Sequence, residues 1–133
     1  MKKKVLVVDD SQGWINFHLE LLRGFFPDRL IIDTAKSARE GYKKVFAAVN
    51  TPYDLIISDL HMEDSYGSLL AGEWFVERIR ELKQYASSKI ILISAMYNIK
   101  QIADELGTAY VSKSSVARDG NTYKFAIEEL IDG

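Results

Sequence analysis

Four short apolar runs, at residues 5–8, 30–32, 55–57 and 90–93, restrict the fold of this chain more than anything else in it. Each is rich in β-branched residues and unbroken, without the alternation of a strand that faces water on one side. That is the pattern of parallel strands covered on both faces. Ala109, Tyr110 and Val111 form a weaker fifth run. The segments between the runs carry a helical period instead. Trp14, Phe17, Leu21 and Phe25 recur at intervals of three and four and end before Pro27, which cannot continue a helix. Ala38, Tyr42, Val45 and Val49 repeat in the same way, and Ser37 with Glu40 forms a capping-box signature ahead of them. Phe75, Ile79 and Leu82 mark a third helix, Ile99, Ile102 and Leu106 a shorter fourth, and Tyr123, Ala126, Ile127 and Leu130 a fifth.

The reading is therefore β-α repeated five times, with no Gly/Ser-rich linker or repeat to divide residues 1–133 into more than one domain. Parallel strands require right-handed crossovers, so such a chain builds an open α/β sheet with helices on both faces. Ligands of these sheets bind outside the carboxyl ends of the strands, where the strand order reverses. Function is to be sought where the strands end.

Composition narrows the choice of function. Lys plus Arg is 17 and Asp plus Glu is 19, a formal charge of −2, so the chain lacks the net cationic field of a general nucleic-acid binder. Cysteine is absent, which excludes disulfides, thiolate zinc sites and thiol catalysis together. Lys2, Lys3 and Lys4 precede only four apolar residues before Asp9 and Asp10, too few for a secretory signal. No apolar stretch approaches the roughly 18 residues of a membrane span. The expectation is a soluble, cytoplasmic protein. No Gly-x-x-x-x-Gly-Lys run supports a P-loop, and no hydroxyl-rich phosphate loop follows the first strand.

The first strand ends in Asp9 and Asp10, the third in Asp59 and the fourth in Ser94, while Lys113 follows the fifth. An Asp after a strand is commonplace as a turn former. Three carboxylates, a hydroxyl and an ammonium at one sheet edge are less ordinary. Such carboxylates repel by several kcal/mol per pair at an effective dielectric of about 20. Oxygen ligands of this kind suit Mg²⁺, which keeps several waters and often shares a phosphate oxygen. Phosphoryl chemistry follows naturally: one carboxylate acts as nucleophile, and Mg²⁺, a Lys and a hydroxyl donor neutralise and position the transferred group.

Val7-Val8-Asp9-Asp10-Ser11, Asp54-Leu55-Ile56-Ile57-Ser58-Asp59, Ile93-Ser94-Ala95 and Tyr110-Val111-Ser112-Lys113 stand in order along the chain. With them the sequence resembles the receiver domains of two-component response regulators. The resemblance implies a flavodoxin-like (βα)5 fold, doubly wound, with a five-stranded parallel sheet of order 2-1-3-4-5. It implies that Asp59 accepts a phosphoryl group from a sensor histidine kinase, a phosphotransfer protein or a small phosphodonor. Asp10, Asp59 and the His61 backbone carbonyl are then the direct Mg²⁺ ligands, with Asp9 acting through bound water. Lys113 pairs with the phosphoryl oxygens, Ser94 swings inward to donate to one of them, and small Ala95 leaves the phosphate room. Tyr110 stands where the family has its aromatic switch residue, which follows Ser94 inward and reshapes the surface of the fourth helix, fifth strand and fifth helix. His61 and Met96, two residues beyond Asp59 and Ser94, occupy positions that tune hydrolysis of the aspartyl phosphate. The partner is a downstream protein target, or a second copy in a phosphorylation-dependent homodimer, and not nucleic acid or membrane. Such a domain phosphorylates and dephosphorylates itself and is not a turnover enzyme.

The sequence also departs from the family pattern. The Gly that begins the third helix fits Gly72, thirteen positions beyond Asp59, so the intervening loop is about five residues longer than usual. The usual Pro of that loop is missing, and acidic Glu63 and Asp64 lie in its neighbourhood. Lys113 is followed by Ser114 where the family has a cis Pro, and a cis bond to a non-proline residue costs about 2.5–4 kcal/mol, so a trans bond is expected. The polar segment 114–121 suggests that the last helix starts near Asn121 or Thr122. Two other readings compete. A haloacid-dehalogenase-like phosphohydrolase would use Asp9 as nucleophile, but position 11 is Ser where a second Asp is needed. A receiver-like scaffold would bind partners without being phosphorylated. With no appended output domain in the sequence, the chain reads as a stand-alone regulator or as a piece of a longer one.

Overall fold

The structure is a computed structural model that describes residues 2–63 and 69–132. Five strands, β1 (Lys3–Val8), β2 (Leu30–Ala35), β3 (Leu55–Asp59), β4 (Lys89–Ser94) and β5 (Ala109–Ser112), form one parallel sheet of order β2-β1-β3-β4-β5. Helices α1 (Gln12–Phe25), α2 (Ala38–Ala47), α3 (Ala71–Arg80), α4 (Ile99–Leu106), α5 (Lys113–Arg118) and α6 (Gly120–Asp132) fill the connections, with a 3₁₀ turn at Lys83–Tyr85. This is the doubly wound flavodoxin-like arrangement expected from the sequence.

Alternate strand residues feed two cores. Leu6, Val8, Ile56, Ile90 and Leu92 pack with Val45, Phe75, Ile79 and Ala103 of α2, α3 and α4. Val5, Val7, Ile57, Ile91 and Ile93 pack with Leu22 of α1, Val116 of α5, and Tyr123 and Ile127 of α6. The central strands β1, β3 and β4 are therefore buried on both faces, as their unbroken apolar runs require. β2 is an edge strand and differs: Ile31 is 50 % exposed, and Leu30 and Ile32 are only partly buried.

Helix α2 starts on its Ser37 cap. Ser37 Oγ accepts from the Glu40 amide at 3.0 Å, and the Glu40 carboxylate accepts from the Lys36 amide at 3.1 Å, one residue earlier than the expected capping box. α2 and α3 stop before Val49 and Leu82, which still pack against the core from the following turns. α4 ends on Gly107 in the left-handed conformation, φ 70°, which favours glycine. The expectation of a polar loop after Lys113 is corrected. Helix α5 starts at Lys113 itself, because Ser112 Oγ accepts from the Ser115 amide at 3.1 Å and Val116 inserts into the core. α6 then begins at Gly120, close to its expected start. No peptide bond among the described residues is cis, so Lys113–Ser114 is trans.

Candidate functional site

The strand order reverses between β1 and β3, and both strands end in acid. The Asp9 amide donates to Ala35 O at 3.1 Å, carrying the β1–β2 pairing one residue past β1 and fixing where Asp9 and Asp10 stand. Asp59 is the last residue of β3, paired with Ile93 of β4, so Ser94 lies one step further along the neighbouring strand. Ser11 caps α1, its Oγ accepting from the Trp14 amide at 3.3 Å, while its own amide donates to Asp9 Oδ1 at 2.9 Å.

One oxygen from each of Asp9, Asp10 and Asp59 lies within 4.8 Å of the others. Asp9 and Asp59 are buried and Asp10 is half-buried. Lys113 Nζ donates to Asp59 Oδ2 at 3.1 Å and faces Asp9 Oδ2 at 3.4 Å. The Asp9 oxygen on that side is buried without a hydrogen-bond donor among the described residues. Asp10 Oδ2 accepts from the Glu63 amide at 3.0 Å, and the His61 amide lies near enough to the Asp59 carboxylate to favour its charged form.

Three carboxylates face one ammonium, and the electrostatics reflect it. Burial, then the neighbouring Asp9 charge, push Asp59 up to about 6, against the opposing pull of Lys113 and the His61 amide. Burial raises Asp9 as well, with Lys113 and the Ser11 amide opposing. Two carboxylates separated by 4.8 Å repel by about 3 kcal/mol at an effective dielectric of about 20. A divalent cation relieves that repulsion, and carboxylate oxygens from Asp9, Asp10 and Asp59 within 4.8 Å of one another are the all-oxygen donor set that fits a hard ion such as Mg²⁺.

Gly72 sets the approach of α3 to this edge. A Cβ there would stand 2.6 Å from Asp59 O and 2.6 Å from Leu60 Cα, both backbone atoms, while the Gly72 amide donates to Leu60 O at 2.9 Å. Gly72→Ala must push α3 off the end of β3. It is expected to cost about 1–3 kcal/mol, read as a lowered urea midpoint; an unchanged midpoint would contradict the close approach.

The remaining expected residues sit around the cluster. Ser94 is buried and its Oγ accepts from the Met96 amide at 3.0 Å. Met96 is partly buried against the core on the α4 side, and the His61 residue is exposed. Tyr110 is 38 % exposed on β5; its neighbours Ala109 and Val111 face the opposite core, so its ring points to the α4 side, away from the carboxylates. Glu63 reaches Asp10 through its amide and not its carboxylate, and Asp64 lies outside the described residues. The helical period of the sequence placed Trp14 on the apolar stripe of the first helix and did not disclose one contact: its ring lies beneath Lys113, with Nζ 4.6 Å from the ring centroid.

No protein-family model matches the chain, and no curated protein matches it significantly. Solved structures do. The Vibrio cholerae chemotaxis protein CheY4 is 25 % identical, with 98 % of this chain and 100 % of that one covered and a TM-score of 0.77. A putative response regulator from Chloroflexus aurantiacus is 17 % identical over 100 % of both chains, with a TM-score of 0.80. The phosphorylated cyanobacterial phytochrome response regulator RcpA is 19 % identical over 97 % of this chain and 93 % of that one, with a TM-score of 0.79. The chain has the fold of the CheY-like response regulator receiver domains.

Proposed function

We propose that residues 1–133 act as one receiver domain, a phosphorylation-dependent signalling switch in a cytoplasmic two-component system, and not as a turnover enzyme. The observation that carries this reading is the acid cluster spanning 4.8 Å with the Lys113 ammonium 3.1 Å from Asp59. Asp59 is the acceptor. Its carboxylate oxygen attacks the phosphorus of a phosphohistidine or a small phosphodonor, a new O–P bond forms, and the donor's bond to phosphorus breaks with the electron pair leaving on the donor. Asp9 is the poorer nucleophile because it is the more enclosed of the two, 0 % exposed against 5 % for Asp59.

Lys113 already bonds Asp59 and is placed to take a phosphoryl oxygen in exchange. Asp10, Asp59 and the His61 backbone carbonyl, with Asp9 through water, would hold Mg²⁺, which would supply charge neutralisation on the transferring phosphoryl group. Ser94, whose Oγ accepts from the Met96 amide, keeps its own O–H and swings inward to donate it to the phosphoryl group. Tyr110, turned outward, then follows and changes the surface shared by α4, β5 and α6 for a downstream protein. His61 and Met96 border the site and set the lifetime of the aspartyl phosphate.

The test is incubation with acetyl phosphate and Mg²⁺ followed by peptide mass spectrometry. One phosphoryl group is expected at Asp59, absent without Mg²⁺ and absent in Asp59→Asn. Label on Asp9 would favour a phosphohydrolase, and no label under any condition would favour a scaffold.

A further inference from the structure

We propose that Trp14 is a positioning residue for the Lys113 ammonium, holding it against the carboxylate pair during phosphoryl transfer; this rests on the receiver reading above. Lys113 is the first residue of α5, and from there a flexible four-carbon stem must deliver its charge between Asp59 and Asp9. Freezing such a stem costs rotamer entropy unless something pre-sets it. The indole face does so, with Nζ 4.6 Å above the ring centroid, within the range of a cation–π contact. The Lys113 side chain is only 15 % exposed, so the attraction acts in a largely desolvated setting.

The platform is itself fixed. The Trp14 amide is held by the Ser11 cap, and the ring meets Phe17 edge-on at 5.4 Å and His18 at 5.9 Å. His18 is in turn tied to α6 by a 2.8 Å hydrogen bond between its Nδ1 and the Tyr123 hydroxyl. A residue that only filled space between α1 and the sheet would have no need to present its π face to the ammonium that pairs with the acid cluster. Trp14 is linked to the acid cluster by its contact with Lys113, so its effect passes through that ammonium.

Three variants separate positioning from packing. Trp14→Leu keeps an apolar side chain and removes the ring; the Asp59 labelling rate at saturating acetyl phosphate is expected to fall about 3- to 30-fold, the span of a cation–π contact, with half-saturating donor concentration unchanged. Trp14→Phe, which keeps a weaker aromatic face, is expected to recover most of the rate. In a Lys113→Ala background, Trp14→Leu is expected to cause no further loss, because the two side chains act as one unit. A spectroscopic arm leaves Trp14 intact. Trp74→Phe makes Trp14 the sole indole, and its emission is expected to change when beryllofluoride with Mg²⁺ draws Lys113 forward, but not when Lys113 is Ala. An unchanged rate in folded Trp14→Leu, losses that add to those of Lys113→Ala, or an emission change that persists without Lys113 would overturn the positioning role while the receiver reading stood. A wild type that takes no label at Asp59 would overturn that reading, and the role of Trp14 with it.

Discussion

Asp59→Asn is expected to stabilise the fold by about 3 kcal/mol at pH 7.5 in metal-free buffer, even as it removes the phosphoacceptor. The Asp59 carboxyl lies at about 6 in the folded chain against an ordinary value of 3.8. A carboxyl raised in this way contributes stability that is fully present below 3.8 and is lost as pH rises through 6. At neutral pH the ionised group is a liability, because burial and Asp9 outweigh the help of Lys113. Asn takes the place of the neutral form, and Lys113 keeps Asp9 as a partner. Melting curves should show a Tm higher by about 10 °C at pH 7.5, with the gap closing by pH 4. Added Mg²⁺ should raise the Tm of the wild type more than that of the variant, since the ion stabilises only the state that binds it. A variant no more stable than the wild type at pH 7.5 would mean that the acid cluster is not strained.

The second large effect has the opposite sign and lies beneath α1. Burial, with the Lys113 charge adding to it, pushes His18 down to about 4 from 6.5. A histidine held neutral in this way contributes stability that is present above 6.5 and is lost as pH falls through 4. The distance between those values corresponds to about 3 kcal/mol. The comparison that isolates it is with His18→Gln, which cannot take up a proton but can still bond the Tyr123 hydroxyl. The advantage of the wild type over this variant in denaturant midpoints is expected to shrink by about 3 kcal/mol between pH 7.5 and pH 4. A constant difference across that range would show that His18 titrates alike in the folded and unfolded chains.

What the sequence discloses and what it hides follow one physical line. Residues 5–8, 55–57 and 90–93 announce central strands because burial on both faces leaves no position free for a polar side chain. The same logic overreached at residues 30–32, where Ile31 is apolar yet half exposed: an apolar run does not say whether a strand is central or at the edge. Asp9, Asp10, Asp59 and Lys113 were legible because each sits at a strand terminus, and the topology brings strand termini to one edge. Helix α5 was hidden, since Ser114, Ser115 and their polar neighbours read locally as a loop, whereas a Ser112 cap and the burial of Val116 make the turn pay. The contact between Trp14 and Lys113 was hidden for a different reason. Its members lie 99 positions apart, and nothing in either one's local pattern marks the other. The Glu63 amide on Asp10 is a main-chain donor, which no side-chain pattern can report.

The direct passage of β5 into α5, with Ser112 closing one element and Lys113 opening the next, has a consequence for degrees of freedom. No connecting loop exists at that junction to flex, so the Lys113 Cα is clamped from both directions. Any travel of the positive charge must come from torsions of its own methylene chain, along an arc whose origin belongs to the sheet. Engineering a glycine or an extra residue into the junction would unclamp that origin and let the charge wander.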